Sequence, residues 1–251
     1  MIWFVGAGPG DPKLLTIKGK EVIEEADVLI YAGSLVNEKI LDFRKEGAVV
    51  YNSACMTLPE ILSVMQESES KGLLTARIHT GDPSIYGAIR EQMDALEDLG
   101  IPYQVIPGVS SFSGAAASLK CEYTLPGVSQ TVILTRMEGR TSVPGIEKIE
   151  DLARHRSSMV IFLSVGRIDD LVAALLPSYG QDTPAAVVYK ATWEDERIVR
   201  GTLKTIADQV KKAKITRTAL VLVGDFLDTT YERSKLYDEN FTTGYRSSRK
   251  E

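Results

Sequence analysis

Two cysteines and two histidines in 251 residues leave little material for a thiolate or imidazole metal centre. Cys55 and Cys121 stand far apart without a C-x-x-C spacing, and only His79 and His155 accompany them, so no Cys/His metal site is expected and only a carboxylate set stays open. Such sparse cysteine suits a reducing cytoplasm. No apolar stretch is long enough to span a bilayer. No basic region or long apolar run stands ahead of the strand-like stretch at Ile2, so a signal peptide is not expected. Positive charge is not in excess: 34 acidic against 29 basic residues give a net charge of −5. That balance argues against nucleic acid or an anionic membrane as partner. Catalytic signatures are missing too, with no H-E-x-x-H and no G-x-S-x-G elbow around Ser110, Ser111 or Ser113.

What is present is an ordinary globular composition, 44% hydrophobic and 25% charged, long enough for one large or two modest domains. Short apolar runs at Ile2–Val5, Val28–Tyr31, Ala48–Tyr51, Ala76–His79 and Tyr103–Ile106 read as buried strands. Helical patterns lie between them: Lys18–Ala26, a segment opened by the capping-box spacing of Thr57 and Glu60, and Ile85–Leu99 stopping at Gly100. This βαβ rhythm predicts a mainly parallel sheet. Small residues and two Pro-Gly pairs interrupt it over Ile106–Ser129. Strands then resume at Thr131–Thr135, Met159–Leu163, Ala185–Tyr189, Ile198–Gly201 and Ala219–Val223. Too few residues separate the third and fourth of these for a crossover helix, so the second sheet is expected to be partly antiparallel. The expectation is an α/β protein of two lobes, residues 1–119 and 120–251, with a polar tail from Asp228 that is either a docking strap or a solvated end.

The first strand runs into V-G-A-G-P-G-D-P-K-L-L-T, residues 5–16. A dinucleotide fingerprint would need a third glycine where Asp11 stands, and Pro9 and Pro12 remove two N–H groups that a phosphate would require. No GK[ST] context surrounds Lys13 or Lys18. Asp11 instead suits a helix N-cap with Pro12 at the first helical position. An uncharged or cationic ligand over the glycines stays open. Ligands of open α/β sheets sit at the carboxyl ends of strands. Two further glycine-bearing loops follow such ends, T-G-D-P-S-I-Y-G-A at 80–88 and P-G-V-S-S-F-S-G at 107–114. Asp82 before Pro83 can act there as a helix cap, as a ligand contact, or as both. A site of loops and small residues without an evident acid, base or metal suits a reagent that is already activated. Methyl transfer from a sulfonium is such a reaction, needing chiefly alignment and exclusion of water.

These three motifs, in this order and spacing, resemble the tetrapyrrole (corrin/porphyrin) methyltransferase family. The resemblance implies two α/β lobes with S-adenosylmethionine in a cleft between them, a tetrapyrrole substrate, and a homodimer. Glu122–Pro144, Tyr189–Trp193 and Ser234–Arg246 most resemble the branch that methylates C11 of (cobalt-)precorrin-4 to give (cobalt-)precorrin-5 in cobalamin biosynthesis. Thr80 and Ser84 depart from the G-G-D-P-aromatic pattern of the uroporphyrinogen branch. The family's cofactor positions carry over onto Pro9, Thr80, Gly81, Asp82, Ile85, Ser110 and Ser111, and in the second lobe onto Leu163, Ser164, Ala191 and Thr218.

Precorrins, as the resemblance implies, carry many carboxylates, so an acidic chain must concentrate positive charge locally. Arg136 and Arg140, in T-R-M-E-G-R-T at 135–141, are the substrate candidates because a guanidinium grips a carboxylate through two hydrogen bonds. A solvated loop with Glu138 as ion-pair partner is the plainer alternative. No general acid or base is identifiable. The rival functions are a dinucleotide-dependent oxidoreductase, which Asp11 and the prolines disfavour, and a tetrapyrrole carrier without catalysis.

Overall fold

The computed structural model describes residues 1–248 and divides the chain into two compact units. The first comprises Met1–Leu119 together with Val188–Arg197, and the second Lys120–Val187 with Ile198 onward. In the first unit run β1 (Ile2–Gly6), α1 (Ile17–Glu25), β2 (Val28–Tyr31), β3 (Val49–Asn52), α2 (Leu58–Ser70), β4 (Thr75–His79), α3 (Arg90–Asp98), β5 (Tyr103–Ile106) and α4 (Ser111–Leu119). The strands form one sheet in the order β3-β2-β4-β1-β5, parallel at every pairing.

Alternate residues of these strands serve two cores, as period-two geometry requires of a sheet covered on both faces. Val5, Leu29, Tyr31, Ala76 and Ile78 pack with Val22 and Ile23 of α1. Ile2, Phe4, Val28 and Ile30 pack with Ile61 and Met65 of α2 and Leu96 of α3. The capping box read at Thr57 is present, with the Thr57 N–H donating to Glu60 Oε2 at 2.6 Å. Asp11 caps a short 3₁₀ turn, Pro12–Leu14, as its position before Pro12 predicts.

One expectation is corrected. The helix read from Ile85 begins only at Arg90, because Tyr86 and Ala88 adopt left-handed backbone at φ 56° and 50°. Gly87 between them lies so close to Pro83 that a Cβ would stand 2.1 Å from its carbonyl oxygen. A helix cannot run through that geometry.

The second unit carries β6 (Val132–Arg136), α5 (Ile149–Ala153), β7 (Ser158–Phe162), α6 (Ile168–Tyr179), β8 (Pro184–Tyr189), β9 (Arg197–Thr202), α7 (Ile206–Lys212) and β10 (Ala219–Val223). Its sheet runs β6-β7-β10-β8-β9 and is mixed: β6 pairs with β7 in parallel, β10 with β7 antiparallel. β7 and β10 are buried throughout, as central strands must be. The described part of the tail is largely irregular, and Glu232 N–H donates to Pro126 O at 3.1 Å near its start. Among the described residues no helix is long and apolar enough to cross a membrane.

Candidate active site

The sheet order places β1 between β4 and β5, so the loops that leave their carboxyl ends are neighbours. They are fused rather than merely adjacent. Ala7 N–H donates to His79 O at 2.8 Å, and Gly8 and Gly81 exchange backbone hydrogen bonds at 3.2 and 2.8 Å. Gly108 donates its N–H to Asp82 Oδ2 at 2.8 Å, tying the third loop to the second. The glycines are required by this contact. A Cβ on Gly6 would stand 2.6 Å from Gly108 Cα, and one on Gly108 would stand 2.2 Å from Gly81 O. Gly81 is in addition left-handed, at φ 60°.

Asp82 holds the second loop in shape. Its Oδ1 accepts from Ser84 N–H at 2.9 Å and from the Ser84 hydroxyl, closing an Asx turn instead of capping a helix. Burial pushes this carboxyl up, but the hydrogen bonds from the Ser84 hydroxyl and the Gly108 and Ser84 N–H groups outweigh it and hold it below its ordinary value. It is therefore ionised at neutral pH. Pro9 is buried against α4, where a Cβ on Gly114 would meet it at 2.8 Å. Ser110 is buried at the start of α4, and Thr80, Ile85 and Ser111 are half-buried around it in sequence. The hydroxyls of Thr80, Ser110 and Ser111 make no hydrogen bond with other described residues, so they are available to a ligand.

Beneath the edge, β4 turns Thr75, Arg77 and His79 toward the α2/α3 side. Arg77 is 5% exposed and meets no carboxylate among the described residues; it donates to Gln92 Oε1 at 3.0 Å and to Ile30 O at 3.2 Å. Desolvation lowers it to about 10, which leaves it charged at neutral pH. His79 is 4% exposed, hydrogen-bonds the Gly87 backbone, and has an Nε2 without a partner among the described residues. Burial, and then the Arg77 charge, push it down to about 3, so it is a neutral strut under the second loop. His155 is exposed, at the turn after α5.

The segment Val188–Arg197 brings Ala191 into the first unit, where it is buried. Next to it, Trp193 covers the first loop: its indole N–H donates to Pro9 O at 3.0 Å, and its ring lies where a Gly10 side chain would be. Sequence reading offered Ala191 as a candidate and did not single out Trp193 or Gly108. The Pro-Gly pair at 107–108 and the aromatic two positions after Ala191 were the available signals.

The remaining candidates gather at one end of the second unit's sheet. Leu163 follows β7 with left-handed backbone (φ 54°) and is 68% exposed, an unusual state for a large apolar residue. Ser164 is buried, accepting from Met137 N–H at 2.9 Å and donating to Phe162 O at 2.7 Å. β10 runs antiparallel to β7, with Val221 facing Ile161, and Thr218, also left-handed, immediately precedes β10 at the end where β7 leads into Leu163. Arg136 ends β6 opposite Phe162, and its guanidinium donates to Thr141 O at 3.1 Å and Ser142 O at 2.6 Å. It staples its own loop. Arg140, at the exposed turn of that loop, has no partner among the described residues. Behind the loop lies a cavity of about 360 Å³, its walls carrying both charge signs, Lys148 and Arg167 with Glu138 and Glu150.

The residues of the first unit fit S-adenosylmethionine better than a phosphate ligand. Residues 6–11, 80–88 and 107–114 contain two carboxylates, Asp11 and Asp82, and no lysine or arginine. A sulfonium cation is favoured by that field and a pyrophosphate is repelled. The hydroxyls of Thr80, Ser110 and Ser111 suit the polar groups of a nucleoside.

The model of the tetrapyrrole (corrin/porphyrin) methylases matches residues 1–207. A cobalt-precorrin-4 C(11)-methyltransferase from Methanocaldococcus jannaschii is 60% identical over 248 residues, covering 98% of this chain and 96% of that protein. A solved cobalt precorrin-4 methyltransferase, described as a cobalamin biosynthetic enzyme, superimposes with a TM-score of 0.89 at 44% identity over 91% of this chain and 96% of that one. The uroporphyrin-III C-methyl transferase of Thermus thermophilus, solved with S-adenyl homocysteine, gives a TM-score of 0.75 at 27% identity over 90% of this chain and 98% of that one. With the family model matched over most of its length and its motif loops fused into one edge, this chain belongs to the tetrapyrrole (corrin/porphyrin) methylases.

Proposed function

We propose that this protein is an S-adenosylmethionine-dependent C-methyltransferase of cobalamin biosynthesis, methylating C11 of (cobalt-)precorrin-4 to give (cobalt-)precorrin-5. The observation that carries the reaction type is the fused three-loop edge, whose residues 6–11, 80–88 and 107–114 hold two carboxylates and no basic side chain. The end-to-end 60% identity with a cobalt-precorrin-4 C(11)-methyltransferase supports the substrate and the ring position.

Pro9, Thr80, Gly81, Asp82, Ile85, Ser110, Ser111 and Ala191 of the first unit would hold the cofactor. When bound, S-adenosylmethionine supplies an electrophilic methyl group on a sulfonium, which transfer to carbon converts to S-adenosylhomocysteine. The chain's own work is alignment. The loop-to-loop hydrogen bonds and glycine contacts hold the edge through the chain's own backbone, which favours a fixed reactive geometry. Asp82, kept ionised, supplies a fixed negative field for a cationic ligand. Buried Pro9 and Ala191 and the half-buried Ile85 offer apolar surface that excludes water. Arg140 is the side chain offered to a substrate carboxylate, and Arg136 holds the loop that presents it. A homodimer working in the cytoplasm completes the reading, on the family resemblance and the sparse cysteine.

Calorimetric titration separates the competing activities. S-adenosylmethionine is expected to bind and NADH to give no heat; the reverse would make the protein an oxidoreductase. Adding the tetrapyrrole with methyl-labelled cofactor then distinguishes an enzyme from a carrier, since a carrier binds the macrocycle and leaves the label on the cofactor.

A further inference from the structure

The residues of Tyr189–Arg197 return to the first unit from far along the chain, and their polar atoms converge on one stretch, Pro9-Gly10-Asp11. Thr192 Oγ1 accepts from Asp11 N–H at 3.0 Å, and Trp193 Nε1–H donates to Pro9 O at 3.0 Å. Asn37 Nδ2 donates to Gly10 O at 2.9 Å from the other side. A Cβ at Gly10 would stand 2.0 Å from Trp193 Cδ1, so the indole lies directly on the loop backbone. The Thr192 methyl closes on α4, 3.3 Å from where a Gly114 Cβ would be.

Thr192 does this from an unfavourable conformation. It is β-branched yet left-handed at φ 69°, two residues after Lys190 at φ 49°. What holds it there is Glu196. One carboxylate oxygen of Glu196 accepts both the Thr192 N–H and the Ser118 hydroxyl, each at 2.5 Å. The segment is braced further by Lys190, which lies 4.8 Å from the Trp193 ring centroid and pairs with Asp195 at 2.7 Å, and by the ion pair of Glu194 with Lys39. Strain at a β-branched residue, over-determined by its neighbours and set against the Pro9–Asp11 loop, is the pattern of a built-in positioning device.

We propose that Glu196, Thr192 and Trp193 form a clasp of positioning residues for the cofactor: Glu196 locks Thr192 left-handed, and Thr192 and Trp193 thereby fix the Pro9–Asp11 backbone and the flanking Ala191 in the geometry that S-adenosylmethionine requires. The inference rests on the methyltransferase reading and deepens it. None of the three need touch the ligand. They act through Pro9 and Ala191, and loss of the clasp therefore weakens ligand binding without removing a contact to the ligand itself.

The test is calorimetric binding of S-adenosylhomocysteine to the full-length protein, with melting temperature measured in parallel. Thr192→Val keeps size and branching and removes the acceptor for Asp11 N–H; it is expected to weaken binding roughly tenfold, about what one lost hydrogen bond is worth. Thr192→Ser keeps the hydroxyl and is expected to bind as the wild type does. Trp193→Phe, which keeps an aromatic ring and loses the N–H, should weaken binding similarly. In Thr192→Val and Trp193→Phe, KM for S-adenosylmethionine should rise more than kcat falls. Glu196→Ala should weaken binding most, and Glu196→Gln, which retains an acceptor oxygen, should restore part of it. Should Glu196→Ala fail to fold, the near-isosteric Thr192→Val and Thr192→Ser pair still decides the matter. Equal affinity in Thr192→Val, Thr192→Ser and the wild type overturns the clasp and leaves the methyltransferase reading intact. A wild type that binds no S-adenosylhomocysteine overturns both.

Discussion

His79 ends a central strand in surroundings that keep it neutral, and this has a consequence for stability. Its value falls from 6.5 to about 3 on folding, through burial and then the Arg77 charge. Between those two values the unfolded chain binds a proton that the folded chain does not, so stability is full above about pH 6.5 and falls as pH drops toward 3. Urea unfolding at pH 7 and pH 5 should show a loss of about 2 kcal/mol from this residue. His79→Gln, which can still donate to Gly87, should lose less stability over the same interval. The exposed His155→Gln should follow the wild type and should leave turnover intact; a fall in its turnover of about 10²-fold or more would make His155 a general acid or base. Asp82, a depressed carboxylate, follows the same sign in a lower pH window. Its contribution is present above 3.8 and is lost as pH falls through its lower folded value. Asp82→Asn offers one acceptor oxygen where two are used, so either the Ser84 turn or the Gly108 tie must go. S-adenosylhomocysteine affinity is expected to fall roughly tenfold with a small drop in melting temperature. Unchanged affinity would leave Asp82 a purely structural turn former.

At the scale of elements, the strands and the first helix follow from apolar periodicity and lie close to where the sequence put them, as does the capping box at Thr57 and Glu60. The loops were legible only as glycine-bearing punctuation. Gly108 shows why: nothing local in P-G-V-S-S says that its missing Cβ makes room for Gly81 O, because that contact comes from a loop 27 positions away in the chain. The false helical start at Ile85 has the same origin, since Gly87 packs on Pro83 and forces Tyr86 and Ala88 left-handed. Gly108→Ala should therefore separate the loops, costing most of the cofactor affinity and lowering the melting temperature, while far-ultraviolet dichroism keeps its native shape. In the second unit Arg140→Ala is expected to raise the tetrapyrrole KM several-fold and flatten its salt dependence, with cofactor KM unchanged. Arg140→Lys should recover only part, because an ammonium keeps the charge without the fork. Full activity of Arg140→Ala at limiting substrate would remove this loop from the site.

The whole molecule reads as two α/β lobes with different sheets, and composition together with strand spacing carried that much. The return of Val188–Arg197 to the first unit was not legible, because a single cut in the sequence assumes that each unit is continuous and local patterning cannot report a partner so distant. Family resemblance singled out Tyr189–Trp193 without saying what it packs against; the hydrogen bonds to Pro9 and Asp11 supply the reason. Whole-molecule charge points the same way as the site. A net charge of −5, and residues 6–11, 80–88 and 107–114 without a basic side chain, fit the proposed cationic methyl donor. The central claim is the transfer of a methyl group from S-adenosylmethionine to one ring carbon. It is tested most directly by incubating the protein with (cobalt-)precorrin-4 and S-adenosylmethionine carrying a ¹³C methyl, and locating the label in the product by NMR. The account requires a single new methyl on C11, with one S-adenosylhomocysteine released for each; a label on another ring carbon, or unlabelled macrocycle in the presence of bound cofactor, would contradict it.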